Sequence, residues 1–280
     1  MAIDGYIRIT RPVNALVAGV AVLLGYLVAT GTIEPWALIL VPVVTMITGA
    51  GNAINDYYDR DIDKINRPDR PIPAGQISPR NARFFSVFLF AGGIALASFT
   101  NPLCLAIAII NAGLLAWYAA SLKKLPVVGN IVVAYLSASI FLFGGALAGI
   151  EGLIMNLPIA AITFLAMFSR EILKDAEDIE GDRTGGARTL PMIIGVRRSG
   201  AVALALSASA VVLSVLPLMQ WWGIPYLVAI TIPDLIILTA GVKGCACTNP
   251  DCLRTSNATT ILKYGMFLAL FVLITASILG

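Results

Sequence analysis

Nine apolar stretches recur along the chain, at roughly residues 13–31, 36–57, 82–100, 102–120, 127–149, 155–173, 199–217, 224–242 and 260–279. Each is close to the 17–25 residues that a helix needs to cross the hydrocarbon layer. Lipid offers no partner for backbone polar groups, so repeated stretches of this length and composition are compatible with helices that satisfy their own hydrogen bonds. With 58% hydrophobic and 12% charged residues and a mean hydropathy of +0.87, the chain has more apolar sequence than one soluble core requires. The expectation is an all-α polytopic membrane protein, a bundle of nine transmembrane helices. No Pro/Gly/Ser linker divides it, so residues 1–280 are read as a single domain. The first stretch exceeds a signal-peptide core and lacks a small-residue cleavage site, so it is read as the first span.

The basic residues give the orientation. All 19 lie in alternate connections: Arg8 and Arg11, Arg60 through Arg83, Lys123 and Lys124, Arg170 through Arg198, and Lys243 through Lys263. By the positive-inside rule the protein is a multi-pass component of the cell membrane, with its N-terminus and these connections cytoplasmic and its C-terminus outside. The net charge of +3 then reflects topology, and no nucleic-acid partner or obligate protein partner is read from it. Cys245, Cys247 and Cys252 fall on the same side, where thiols are expected to stay reduced. A zinc site would want a fourth ligand, but the chain has no histidine and Cys104 lies near the far side.

Two acidic clusters of similar design interrupt the apolar pattern. Asp56, Asp59 and Asp63 are matched, 119 residues later, by Asp175, Asp178 and Asp182, and residues 56–69 and 171–182 hold 11 of the 16 acidic residues. Carboxylates at this density repel unless a cation lies between them, and oxygen-only ligand sets suit Mg²⁺, which is often shared with substrate phosphates. Solvated loop charges that only set topology would be basic, since acidic residues contribute little to orientation. The offset suggests an internal pseudo-repeat whose clusters face each other across a central cavity. Asn55, Asp59 and Asp63 recur every four residues, as do Arg170, Lys174, Asp178 and Asp182. Each set shares one face if its helix continues through the cluster. Such faces could clamp a diphosphate through Mg²⁺, with Lys and Arg on the remaining oxygens.

These residues carry a resemblance. Asn55-Asp56-x-x-Asp59-x-x-x-Asp63, the following Asn66-Arg67-Pro68-x-Arg70-Pro71-Ile72-Pro73, and Asp178-x-x-x-Asp182 resemble the signature motifs of the UbiA superfamily of intramembrane prenyltransferases. The resemblance implies a nine-helix bundle with a central cavity, capped by cytoplasmic loops, that moves a polyprenyl group from its diphosphate to a lipophilic acceptor. It places Asn55, Asp59 and Asp63 on one Mg²⁺ and Asp178 and Asp182 on another, with Lys174 beside them and Asp56 and Asp175 as further substrate-binding candidates. Arg67, Arg70, Lys123 and Lys124 are candidate phosphate contacts. Tyr118, Tyr135 and Phe141 could face a passing carbocation, though ordinary bundle packing is the stronger explanation of each.

One position departs from the common pattern: Arg170 stands where many members have Tyr. The segments around Arg170 and around Val128 through Leu136 look most like the archaeal branch that makes digeranylgeranylglyceryl phosphate. That branch implies geranylgeranyl diphosphate as donor and a lipophilic phosphorylated acceptor, both drawn from the lipid bilayer. An extra guanidinium suits an acceptor that carries its own phosphate. The alternatives are a transferase of the same type with an aromatic or tetrapyrrole acceptor, a divalent-cation carrier, and a membrane scaffold without activity. The carrier is disfavoured because both clusters lie on one side, and the scaffold leaves the matched spacings unexplained.

Overall fold

The computed structural model describes residues 2–216 and 222–279, and these form helices and turns with no strand among the described residues. In chain order the helices are α1 (Ala2–Ile9), α2 (Pro12–Thr30), α3 (Leu40–Asn66), α4 (Pro79–Ala97), α5 (Pro102–Ala120), α6 (Val128–Ala146) and α7 (Ile150–Met155). They continue with α8 (Leu157–Glu177), α9 (Ile179–Thr184), α10 (Leu190–Ile194), α11 (Val196–Leu213), α12 (Gly223–Ala246), α13 (Pro250–Ser256) and α14 (Ala258–Leu279). The all-α polytopic expectation holds. Of the nine expected spans, seven are helices long and apolar enough to cross a membrane among the described residues. The other two expected spans correspond to α4 and α8. Arg80, Asn81 and Arg83 weigh on the first turns of α4, and Arg170, Glu171, Lys174, Asp175 and Glu177 on the end of α8.

Local sequence explains the helix starts. Proline opens α2, α4 and α5, where the missing N–H costs no intrahelical bond. Ser78 and Asn101 cap α4 and α5 by accepting from the backbone of Asn81 (3.2 Å) and Cys104 (2.9 Å). At the other end of α2, Gly31 adopts φ 73° and returns its N–H to the carbonyl of Leu27.

The chain divides into two compact units. The first comprises residues 1–122 and 140–155 and is built on α2, α3, α4 and α5 with the end of α6. Its core gathers Val22, Tyr26, Leu40, Val43, Ile47, Ala112 and Phe143. Glycine lets α2 and α6 approach closely: a Cβ at Gly144 would collide with the carbonyl of Val22, and one at Gly25 would lie 2.5 Å from the carbonyl of Phe141. Between α3 and α4, the Ser86 hydroxyl donates to the carbonyl of Ala50 at 2.9 Å.

The second unit comprises residues 123–139 and 156–280. In it α8 packs on α11 around Ile172, Leu173, Ala176, Ala203, Ala240 and Leu262. Ser169 donates to the carbonyl of Ala203 and shares a 2.8 Å hydrogen bond with Ser207. Gly200 lies so close to the backbone of Gly244 that α11 and α12 admit no side chain there. The expectation of reduced thiols is corrected in this unit: Cys247 and Cys252 form a disulfide, while Cys245 and Cys104 are free. The physical reason is local. Asn249 caps α13 by accepting from the N–H of Cys252, and this turn brings the two Cα atoms to 5.5 Å, within disulfide reach.

Candidate functional site

The first acidic cluster lies in the first unit, on α3. That helix runs for 27 residues, past its apolar part and through the cluster, so Asn55, Asp59 and Asp63 share one face as expected. The Asn55 amide donates to Asp59 Oδ2 at 2.9 Å. After α3 the chain folds back through a run of turns, with Arg67 N–H on the carbonyl of Asp63 and Arg70 N–H on that of Arg67. The loop thereby returns the Arg70 guanidinium to the helix, 2.6 Å from Asp63 Oδ2 and 3.2 Å from Asp56 Oδ1.

A second guanidinium reaches the same carboxylate. Arg11 precedes α2 in a left-handed conformation (φ 53°) and places Nη2 2.7 Å from Asp56 Oδ1. Asp56 and Asp63 are thus buried, at 2% and 5% exposure, because cations from two other segments compensate their charge. Arg70, expected on a phosphate, is here joined to Asp63, expected on a metal. Arg67 is exposed, and its backbone alone is bonded to the cluster.

The second cluster lies in the second unit and is built differently. Helix α8 ends at Glu177, and Asp178 (φ −104°, ψ 14°) both closes it and opens α9. The expectation of a helix continuing through Arg170, Lys174, Asp178 and Asp182 is corrected at this residue. Aspartate competes for backbone groups and prefers helix ends. The four-residue spacing survives the break, since Asp178 N–H bonds the carbonyl of Lys174 (3.0 Å) and Asp182 N–H that of Asp178 (2.9 Å).

Asp175 accepts from the amide of Asn130, at the start of α6, at 2.8 Å. Burial pushes the Asp175 carboxyl up to about 7, against the pull of the Asn130 hydrogen bond and with Asp182 and Glu171 adding to the rise. Burial likewise raises Asp182 to about 6, with the Asp178 charge adding and Lys174 opposing. A cation bound beside such carboxyls would favour their ionised forms. Arg170 donates to Glu171 at 2.7 Å, and its Nε is buried without an acceptor. Lys123 and Lys124 lie on a short 3₁₀ turn whose Lys124 carbonyl accepts the N–H of Arg188, tying the loop after α9 to that turn. Among the aromatic candidates, Phe141 is buried, with its backbone against Gly25, whereas Tyr118 and Tyr135 are half-buried.

The donor set fits Mg²⁺. Each cluster offers hard oxygen ligands, and among the described residues no three acidic side chains form a ready-made cage. Mg²⁺ is normally held by one or two carboxylates together with substrate phosphates, so such a cage is not required. Two positioning residues escaped the sequence reading. Arg11 was counted only toward topology, and its signal is a cation directly before the first span. Asn130 was one polar residue at the edge of an apolar stretch.

The sequence pattern of the UbiA prenyltransferase family matches residues 18–250. The chain belongs to the UbiA family. Over their full lengths it is 57% identical to the digeranylgeranylglyceryl phosphate synthase of Methanoculleus marisnigri. The enzyme of the same name from Methanoregula boonei is 53% identical, over 97% of each chain. A solved structure from work on "the biosynthesis of Digeranylgeranylglyceryl phosphate synthase in membranes" superimposes with a TM-score of 0.85 and 33% identity, covering 100% of this chain and 99% of that one. The UbiA fold is also shared with an Archaeoglobus fulgidus homologue solved with GPP and Mg²⁺, at a TM-score of 0.65 and 19% identity over 95% and 99% of the two chains.

Proposed function

We propose that this UbiA member transfers a geranylgeranyl group from geranylgeranyl diphosphate to the glycerol hydroxyl of geranylgeranylglyceryl phosphate, forming the second ether bond of archaeal membrane lipid. The observation that carries this reading is the full-length 57% identity to a synthase of that name. In this reading the whole chain acts as one transferase domain, with the active-site loops cytoplasmic and the two clusters serving one diphosphate across a central cavity. Asn55, Asp59 and Asp63 would hold one Mg²⁺ and Asp178 and Asp182 another, and the metal supplies charge neutralisation on the leaving diphosphate.

The chain's own residues do the rest. Lys174 covers diphosphate oxygens left over by the clusters, and Arg67, Lys123 and Lys124 add positive charge around them. Arg11 and Arg70 hold Asp56 and Asp63 in place, and Asn130 orients Asp175. The allylic C1–oxygen bond breaks as charge moves onto the diphosphate. The glycerol hydroxyl then forms the new C1–oxygen bond and loses its proton. With no histidine in the chain, a carboxylate, the released diphosphate or water is the base to hand. Arg170 meets the acceptor's phosphate, a group that an aromatic acceptor lacks.

The test is direct. Purified protein supplied with Mg²⁺, geranylgeranyl diphosphate and geranylgeranylglyceryl phosphate should yield the diether phosphate, identified by mass, and chelation should stop the reaction until Mg²⁺ is restored. Turnover of an aromatic acceptor with none of the glycerol phosphate would replace this reading with the aromatic one.

A further inference from the structure

Along one stripe of α4, cations give way to apolar side chains. Arg80, Arg83, Phe84 and Val87 share a helical face, and all four are exposed. Together with Tyr57 and Arg60 of α3 and with Pro79, they line an open cavity of about 610 Å³. Beyond it the face continues through Phe88, which is 66% exposed.

The guanidiniums converge. Arg60 stands 4.9 Å and Arg83 5.9 Å from the centroid of the Tyr57 ring, and Arg80 lies 5.6 Å from that of Phe84. Arg60 donates to the carbonyl of Tyr57 and lies 3.6 Å from the exposed Asp61. Among the described residues Arg80 and Arg83 pair with no carboxylate. The aromatic rings hold these guanidiniums at the cavity through cation–π contacts. Here three like charges bear on one cavity, an arrangement that a bound anion stabilises.

We propose that this cavity binds the phosphate headgroup of an anionic bilayer lipid, with the three guanidiniums on the phosphate and the lipid chains along Phe84, Val87 and Phe88. The apolar continuation favours a lipid over free phosphate, because inorganic phosphate would leave that face unused. None of these residues belongs to the acidic clusters, and the proposal does not depend on the transferase reading.

Native mass spectrometry of the full-length protein in neutral detergent, titrated with phosphatidylglycerol, tests it. Phosphatidylglycerol should be retained and phosphatidylcholine held at least about tenfold more weakly, with millimolar inorganic phosphate displacing neither. Arg80→Gln combined with Arg83→Gln should weaken phosphatidylglycerol binding roughly thirtyfold, while the matching double lysine variant keeps most of it. Val87→Glu, at an exposed position, should reproduce the loss by an independent change. Equal retention of the two lipids, unchanged binding by both the double glutamine and the Val87 variants, or displacement of phosphatidylglycerol by inorganic phosphate would overturn the proposal.

Discussion

Asp59 and Asp182 differ in physical situation from Asp56 and Asp63, although the chain spaces them alike. Asp56 and Asp63 are buried and share Arg70, and Asp56 alone also holds Arg11, so removing Asp56 takes charge-assisted contacts from two segments at once. Asp56→Ala should therefore cost stability, on the order of 1–3 kcal/mol, seen as a lower melting temperature in detergent. Asp59 is half-buried and bonded to Asn55, and burial raises the Asp182 carboxyl to about 6. Asp59→Ala and Asp182→Ala should leave melting nearly unchanged and lower transfer by roughly a hundredfold or more. Near-normal turnover by either would remove the metal assignment. Arg170 tests the acceptor. Arg170→Tyr should raise the acceptor constant about ten- to a hundredfold, through loss of a charge-assisted contact, with less effect on prenyl-diphosphate binding. Because Glu171 loses its partner in this variant, Arg170→Lys, which keeps the charge, is the companion measurement. A defect confined to the donor constant would place Arg170 on the diphosphate.

At the level of helices, close packing and polar breaks matter more than propensity. The crossing of α2 and α6 depends on Gly144, where any Cβ would meet the backbone of Val22. Gly144→Ala should then destabilise the first unit by about 1–3 kcal/mol, since overpacking forces backbone shifts, and thermal unfolding in detergent would register it. An unchanged melting temperature would show that the helices separate at no cost. The positions of the long helices were legible because apolar length is a local property, and so was the shared face of Asn55, Asp59 and Asp63. What depends on contacts distant in sequence was not legible. The Arg11–Asp56 pair joins residues 45 positions apart, as does Asn130 with Asp175, and neither pairing leaves a periodic trace. The break at Asp178 was hidden because the four-residue spacing continues across it. The disulfide was missed because compartment was weighed and the turn capped by Asn249 was not.

For the whole molecule, the order of helices bears on how the two clusters arose. Helices starting at Pro12, Leu40, Pro79 and Pro102 are followed by helices starting at Val128, Leu157, Val196 and Gly223. Each acidic cluster thus lies at the end of the second helix of its series, within α3 and across the end of α8, with α14 left over. We infer that the chain repeats one helical plan and that the repeat places both clusters at equivalent helix ends. In such a plan the ends of α3 and α8 stand four helices apart in the series, and the expectation is an even number of crossings between them, with both clusters on one side. By the positive-inside rule that side is expected to be cytoplasmic. Cysteine labelling checks it in a background whose four native cysteines are replaced by serine. Glu151, exposed in the short helix α7, changed to cysteine should react with an impermeant maleimide added to intact cells. Thr184, exposed at the end of α9 beside the second cluster, should react only after permeabilisation. If Thr184→Cys reacts from outside and Glu151→Cys does not, the orientation is inverted and a cytoplasmic diphosphate cannot reach the site. If both react from outside, the number of crossings between them is even and the nine-span arrangement fails with it.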